Sequence, residues 1–269
     1  DDTNTELSTA LGYFAKLGLY KNDLVNKNFH TFTPRFLLRY SPGHMRNIQR
    51  KTERLNYGNL FNLNKTNQID VIENGLNTSL GFEYKKNKVD KQNNIKDEVF
   101  SFSAGQVISA EENMDIPSST SMDQRFSDVV GNASYNISNK INLNYKFSID
   151  QSYKELNYNE IGGEFDLESA KFNVSYLQEK NHIGNTEFIN TGLDYTFQNS
   201  TELSFSTKRN LLTSSSEFYN LSYNYINDCL KAGIAYRREF YTDRDIEPTT
   251  NLMFTISIIP FAQINSPSF

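Results

Sequence analysis

From Lys140 to Asp150 apolar and polar residues alternate without a slip. Ile141, Leu143, Tyr145, Phe147 and Ile149 point one way; Asn142, Asn144, Lys146, Ser148 and Asp150 point the other. Successive side chains of a strand face opposite sides, so this segment predicts a strand separating two different media. It runs for about ten residues, where a strand averages about five or six. A tilted strand of about ten alternating residues is what crossing a bilayer requires.

The same period returns along most of the chain and predicts about thirteen strands. The first spans 7–19, with Leu7, Leu11, Tyr13, Leu17 and Leu19 on one face. Phe32, Phe36, Leu38 and Tyr40 mark the next, then Leu76, Leu80, Phe82 and Tyr84, then Phe100, Phe102, Ala104 and Ile108. Val129, Ala133, Tyr135 and Ile137 precede the Ile141 strand, and a weaker pattern spans 156–165. Ala170, Phe172, Val174 and Tyr176 follow, then Ile189, Leu193, Tyr195 and Phe197, then Leu203 and Phe205. The last three carry Tyr219, Leu221, Tyr223 and Tyr225; Leu230, Ile234, Tyr236 and Phe240; and the run from Leu252 to Phe261.

Connections alternate as well. Ser138-Asn139, Gln198-Asn199-Ser200 and Asn227-Asp228 are short and built from hairpin-turn residues, whereas 42–74, 109–126, 210–216 and 242–248 are longer links. Outer-membrane barrels have short periplasmic turns and long external loops, and this order fits if the final strand ends in the periplasm. One link breaks the rule: the charged stretch 85–96 is long yet falls on the short-turn side.

A soluble β-sandwich also has alternating strands, but strand length and turn order favour an antiparallel transmembrane β-barrel. The mean hydropathy of -0.61 suits a wall in which only alternate residues meet lipid. No run of about eighteen apolar residues is present, which removes transmembrane helices. With 20 Phe, 16 Tyr and no Trp, any aromatic girdle is built from phenylalanine and tyrosine. A net charge of -5, mixed-sign runs and no nucleic-acid signature leave nucleic acid out. The chain shows no initiator Met or leader-like segment at Asp1 and an odd strand count, so the expectation is the C-terminal part of a larger barrel, residues 1–269 forming one piece of it.

Three stretches carry a family resemblance. Phe36-Leu37-Leu38-Arg39-Tyr40-Ser41-Pro42-Gly43-His44-Met45-Arg46-Asn47 is followed by Arg54-Leu55-Asn56-Tyr57-Gly58-Asn59-Leu60-Phe61. Glu73-Asn74-Gly75-Leu76-Asn77 leads into Leu80-Gly81-Phe82-Glu83-Tyr84. Near the end stand Asp228-Cys229-Leu230, Tyr236-Arg237-Arg238-Glu239-Phe240 and Thr255-Ile256-Ser257-Ile258-Ile259-Pro260-Phe261. Together they resemble the C-terminal part of the LptD family of LPS-assembly proteins, in a form like those of alphaproteobacteria. The resemblance implies a jelly-roll domain upstream, a barrel of about twenty-six strands, and a translocon without enzymatic activity. Lipopolysaccharide would arrive over a periplasmic LptA-like bridge, its acyl chains entering the outer membrane sideways and its sugars passing inside the barrel. Implied partners are an LptE-like lipoprotein plug and the barrel-insertion machinery, and the implied location is the Gram-negative outer membrane. A self-contained diffusion porin is the alternative.

Cys229 is the single cysteine. On chemistry alone a lone cysteine is as readily an inert small hydrophobe; the resemblance implies a disulfide to the upstream domain, with Leu230 where the family often carries a second cysteine. By the same resemblance Leu252, Phe254, Ile256, Ile258, Pro260 and Phe261 form the closing strand at a lateral gate and the insertion signal. Pro260 lacks a ladder donor, but its place at the very end of the strand favours a proline that merely ends it at the periplasmic rim. His44, Arg46, Arg50, Lys51 and Arg54 offer basic contacts for LPS phosphates or simply an ordinary solvated loop. The stretch 57–63 suggests a folded piece able to enter the interior as a partial plug. Asn142, Asn144, Lys146, Asn173, Ser175, Ser204, Ser206 and Lys208 would line a hydrophilic conduit, as they would a porin. Catalysis finds little support. His30, His44 and His182 are the only histidines, His182 being the least poor candidate, and neither metal-ligand spacing nor a cofactor motif occurs.

Overall fold

A computed structural model describes residues 8–47, 53–68, 71–90, 94–197, 201–227, 229–240, 249–258 and 262–265. Among them the chain is antiparallel β throughout, relieved only by a 3-10 turn at Ser118–Thr120. From the third strand onward each strand neighbours its neighbours in the chain, the order expected of successive hairpins, and the first two both pair with the third. The chain divides into two compact units, 1–136 with 144–159 and 179–185, and 137–143 with 160–178 and 186–269.

The first unit holds β1 (Leu11–Lys16), β2 (Leu19–Asp23), β3 (Asn28–Ser41), β4 (Gly75–Val89) and β5 (Ile95–Ser109), with parts of β6 (Val129–Ser138), β7 (Ile141–Ile149) and β8 (Leu156–Leu167). Rows run across it at fixed parity: Leu38 pairs with Tyr13 and Thr78, and Phe32 with Leu19 and Tyr84, itself opposite Phe102. That face is bare of protein, with Tyr13, Leu38, Tyr40, Leu76 and Leu80 all exposed. Aromatic rings touch along it from Phe32 to Phe82 to Phe102, and from Tyr84 to Phe100 to Tyr135. Contiguous exposed apolar surface of this kind needs a nonaqueous neighbour, and a girdle of Phe and Tyr is what the composition predicts.

The second unit holds most of β9 (Ala170–Glu179), then β10 (Thr186–Phe197), β11 (Thr201–Asn210), β12 (Ser215–Ile226), β13 (Leu230–Glu239), β14 (Thr250–Ile258) and β15 (Ala262–Asn265). An apolar row crosses five of these strands through Leu193, Phe205, Leu221, Tyr236 and Leu252, each between 37% and 44% exposed. One residue over, the opposite face carries Gly192, Ser206, Asn220, Arg237 and Asn251. The all-β antiparallel class of a transmembrane barrel wall is therefore the class observed. No helix among the described residues is long and apolar enough to cross a membrane.

Four details depart from expectation. The first strand is two, β1 and β2, although Lys16 pairs with Arg35 and Leu19 with Phe32 in unbroken register. The gap lies opposite Pro34: Leu17 N donates to Pro34 O at 3.2 Å, and proline has no N–H to return the bond. The anomalous long link 85–96 disappears, because β4 and β5 continue until Val89 pairs with Ile95; Asp90 closes the turn by accepting from Asn94 N at 2.9 Å. The link 210–216 is likewise short, with Asn210 ending β11 and Ser215 opening β12. Lastly, β14 is followed by β15, so the fifteen strands among the described residues exceed the expected number of about thirteen.

Candidate functional site

In the first unit the polar face is covered by the described parts of two long connections, 42–47, 53–68 and 71–74 of the first and 110–128 of the second. Locally the first is shaped by two asparagines. Asn56 Oδ1 accepts from Gly58 N at 2.8 Å and Asn59 N at 3.2 Å, while Asn59 Oδ1 accepts from Asn56 N at 2.8 Å. These side-chain turns free Leu55 and Leu60 to point at the sheet. There they join Met45, Val107, Ile116, Met122 and Val130 in a buried cluster, with Tyr57, Phe61 and Val71 beside it. The folded piece expected at 57–63 thus exists, and it sits on the polar face.

Its approach depends on missing side chains. Leu60 Cδ2 fills the space where a Cβ of Gly105 would stand, and Phe61 Cζ lies 3.1 Å from that of Gly81. Gly81 and Gly105 are directly paired, giving a smooth strip on which the loop lies flat.

Beneath the loop is a buried charge cluster. Arg39 is fully buried, donating from Nε to Leu63 O and from Nη2 to Glu73 O, both at 2.5 Å. Lys65 is equally buried, its Nζ 3.0 Å from Asn77 Oδ1 and 3.9 Å from Glu73 Oε2. Burial pulls the Lys65 ammonium down to about 8, with Glu73 opposing the fall and Arg39 adding to it.

At the edge of the cover, Asp128 Oδ2 accepts from Ser148 Oγ at 2.7 Å and Asn157 Nδ2 at 2.9 Å, and His182 Nε2 lies 3.3 Å away. The hydrogen bond to Asp128 raises the His182 pKa, partly offset by desolvation, with Asp123 and Asp150 adding to the rise. Asp128, Asp150 and His182 offer ligand atoms within 4.8 Å of one another, so they have the spacing to hold a metal ion. Sequence reading missed this trio because its members come from three connections with no motif spacing. It also missed Lys65, Glu73 and Arg39, whose interest lies wholly in their burial.

Elsewhere the polar face is charged. Glu83 pairs with Arg35, and Lys85 Nζ lies 2.9 Å from Glu83 and 3.6 Å from Glu98. In the second unit Asn190 donates to Ser175 at 3.2 Å, and Lys208 pairs with Glu217 at 2.8 Å. Arg35, Glu83, Lys85, Ser175, Asn190 and Lys208 lie on the face that the alternation predicts to be hydrophilic, whereas Glu98 and Glu217 share the parity of apolar neighbours and meet these partners beside register shifts in their strands.

The basic set of the first loop scatters. His44 and Arg46 are exposed, Arg50 and Lys51 lie outside the described residues, and Arg54 turns inward over the Tyr158 ring at 3.2 Å. Cys229 is an exposed free thiol whose N–H donates to Asn227 Oδ1 at 3.0 Å. Leu252, Phe254, Ile256 and Ile258 lie on the bare apolar face of β14; Pro260 and Phe261 fall outside the described residues.

Comparison with known proteins adds three findings. No curated protein matches the chain. Among solved structures, two multiply substituted variants of a Rhodopseudomonas blastica porin each align with TM-score 0.39 at 11% identity, covering 96% of this chain and 93% of theirs. A family model described as LPS transport system D, LptD, matches residues 17–210. Those residues include β3, β4 and the folded cover, though not the C-terminal motifs around Cys229 and Pro260. With most of its length matched, the chain belongs to the LptD family of LPS transport proteins.

Proposed function

We propose that this chain forms part of the wall of a conduit that delivers lipopolysaccharide to the outer leaflet of the Gram-negative outer membrane, without catalysing a reaction. The observation that carries the reading is the two-faced sheet within an LptD-family chain: rows of bare apolar residues on one face, and rows of serine, asparagine and paired charges on the other. Acyl chains stay with the apolar side, while sugars need hydrogen-bonding partners and follow the polar one. The hydrocarbon exit is a lateral gate at the C-terminal edge. In support, Leu252, Phe254, Ile256 and Ile258 of β14 set an exposed apolar row along that edge. Cys229, exposed beside a tight turn, would couple to a cysteine outside this chain in the periplasmic part of the machine, tying the wall to an LptA-like bridge. An LptE-like lipoprotein serves as the plug.

Depletion of the protein followed by labelling of surface lipopolysaccharide tests the reading. Loss of newly exported lipopolysaccharide with unchanged small-solute uptake is the expected result. Unchanged export with reduced solute uptake would instead establish a diffusion porin.

A further inference from the structure

Asp128, Asp150 and His182 come from three different connections at one end of the sheet: the segment leading into β6, the turn between β7 and β8, and the turn between β9 and β10. All three lie in the first unit. Their ligand atoms converge within 4.8 Å of one another, and His182 Nε2 stands 3.3 Å from Asp128 Oδ2. Two ligand atoms each about 2.1 Å from a tetrahedral metal ion are about 3.4 Å apart, so this pair already spans one edge of such a site.

An imidazolium–carboxylate pair would account for that contact by itself; it does not account for the second carboxylate. The buried amide of Asn157 donates to both, at 2.9 Å to Asp128 Oδ2 and 3.4 Å to Asp150 Oδ1, while its own Oδ1 accepts from Asn181 Nδ2 at 2.6 Å. Ser148 Oγ is a further donor to Asp128. These neutral donors aim the carboxylates without balancing their charge, as outer hydrogen bonds do around metal ligands. Asp123 lines the same cavity as Asp128 and His182. Among the described residues no lysine or arginine pairs with Asp123, Asp128 or Asp150, so the three carboxylates have the His182 imidazole as their one cationic partner. Asp128 is only 2% exposed, and a buried charge without full compensation is costly. A divalent cation supplies the missing charge.

The ligand set selects among cations. An imidazole with carboxylates suits Zn²⁺ and its first-row neighbours, whereas Ca²⁺ and Mg²⁺ favour oxygen throughout. The cavity of about 160 Å³ beside the trio, lined also by Ser118, Ser121 and Gln151, leaves room for water to complete the coordination. We propose that Asp128, Asp150 and His182 form a site for a divalent first-row transition metal, which fastens the end of segment 110–128 to the two neighbouring turns. Without metal, His182 keeps the contact with Asp128 described above.

The test uses the full-length protein in its membrane complex, stripped with a chelator and dialysed against Zn²⁺ at neutral pH. The native protein should retain one Zn²⁺ more per chain than His182→Ala or Asp150→Asn, counted by elemental mass spectrometry. Cys229 can also bind Zn²⁺, but it is the same in all three proteins and cancels in the comparison. Zn²⁺ should also slow proteolysis within 179–185 by about fivefold or more in the native protein and in neither variant. Asp150 is half-buried in a turn, so Asp150→Asn keeps the comparison open should His182→Ala disturb assembly. Equal Zn²⁺ content in native protein and variants overturns the proposal. Loss of the extra ion to Mg²⁺ or Ca²⁺ at equal concentration overturns it as well, since the trio would then prefer a hard cation.

Discussion

Leu60 and Gly105 share one space: the leucine methyl stands where a side chain on Gly105 would begin. The backbone oxygen of Leu80 lies 2.6 Å from the same point, so neither loop nor strand has room to yield. Gly105→Val should therefore lift the cover from the sheet at an overpacking cost of about 1–3 kcal/mol. Limited proteolysis within 42–74 should accelerate, while Ala104→Val, on the bare face of the same strand, should leave the rate as it was.

Lys65 and Glu73 make the cover sensitive to base. The folded-state pKa of Lys65, about 8, lies below its ordinary 10.5, so between these values the opened loop binds more protons than the closed one. Closure should strengthen as pH rises from 8 towards 10.5, and hydrogen exchange of the 55–66 amides should slow beyond its intrinsic pH trend. Glu73→Gln leaves the ammonium buried without its counter-charge and should weaken closure by about 3–5 kcal/mol at neutral pH.

His182 and Asp128 respond with the opposite sign. The imidazole pKa is raised by the aspartate, so this contact contributes fully below the ordinary histidine value of 6.5 and is lost as pH climbs through the raised one. Segment 179–185 should become more accessible to protease across that window. Asp128→Asn should abolish the pH dependence; an unchanged profile would mean that another group holds the segment.

Leu221 and Ser222 face opposite media. Leu221→Lys puts a charge on the apolar row and should cost about 2–4 kcal/mol if that row meets the bilayer midplane. Ser222→Lys, pointing to the polar side, should be tolerated. The yield of heat-modifiable, membrane-inserted protein separates the two; equal yields would remove the lipid assignment of this face.

Much of the wall was legible because strand period is local: each residue of β7 or β12 declares its face by parity, whatever its neighbours. The resemblance carried by residues around Arg39, Arg54 and Gly81 was legible too, and the family match covers them. The cover was only half visible. Asn56 and Asn59 announced a turn, but nothing near Leu60 in the chain says that it meets Gly105 across the sheet.

Sequence alone thus determined the alternation and which side chains share a face, since these follow from backbone geometry one residue at a time. The tertiary structure decided what long separations bring together. It placed Lys65 and Arg39 under a hydrophobic lid, gathered Asp128 and His182 from distant connections, laid Arg54 on Tyr158, and broke the first strand opposite Pro34. Burial and pairing depend on the whole packed arrangement, because desolvation and lost hydrogen bonds are set by whatever surrounds a group and not by its place in the chain.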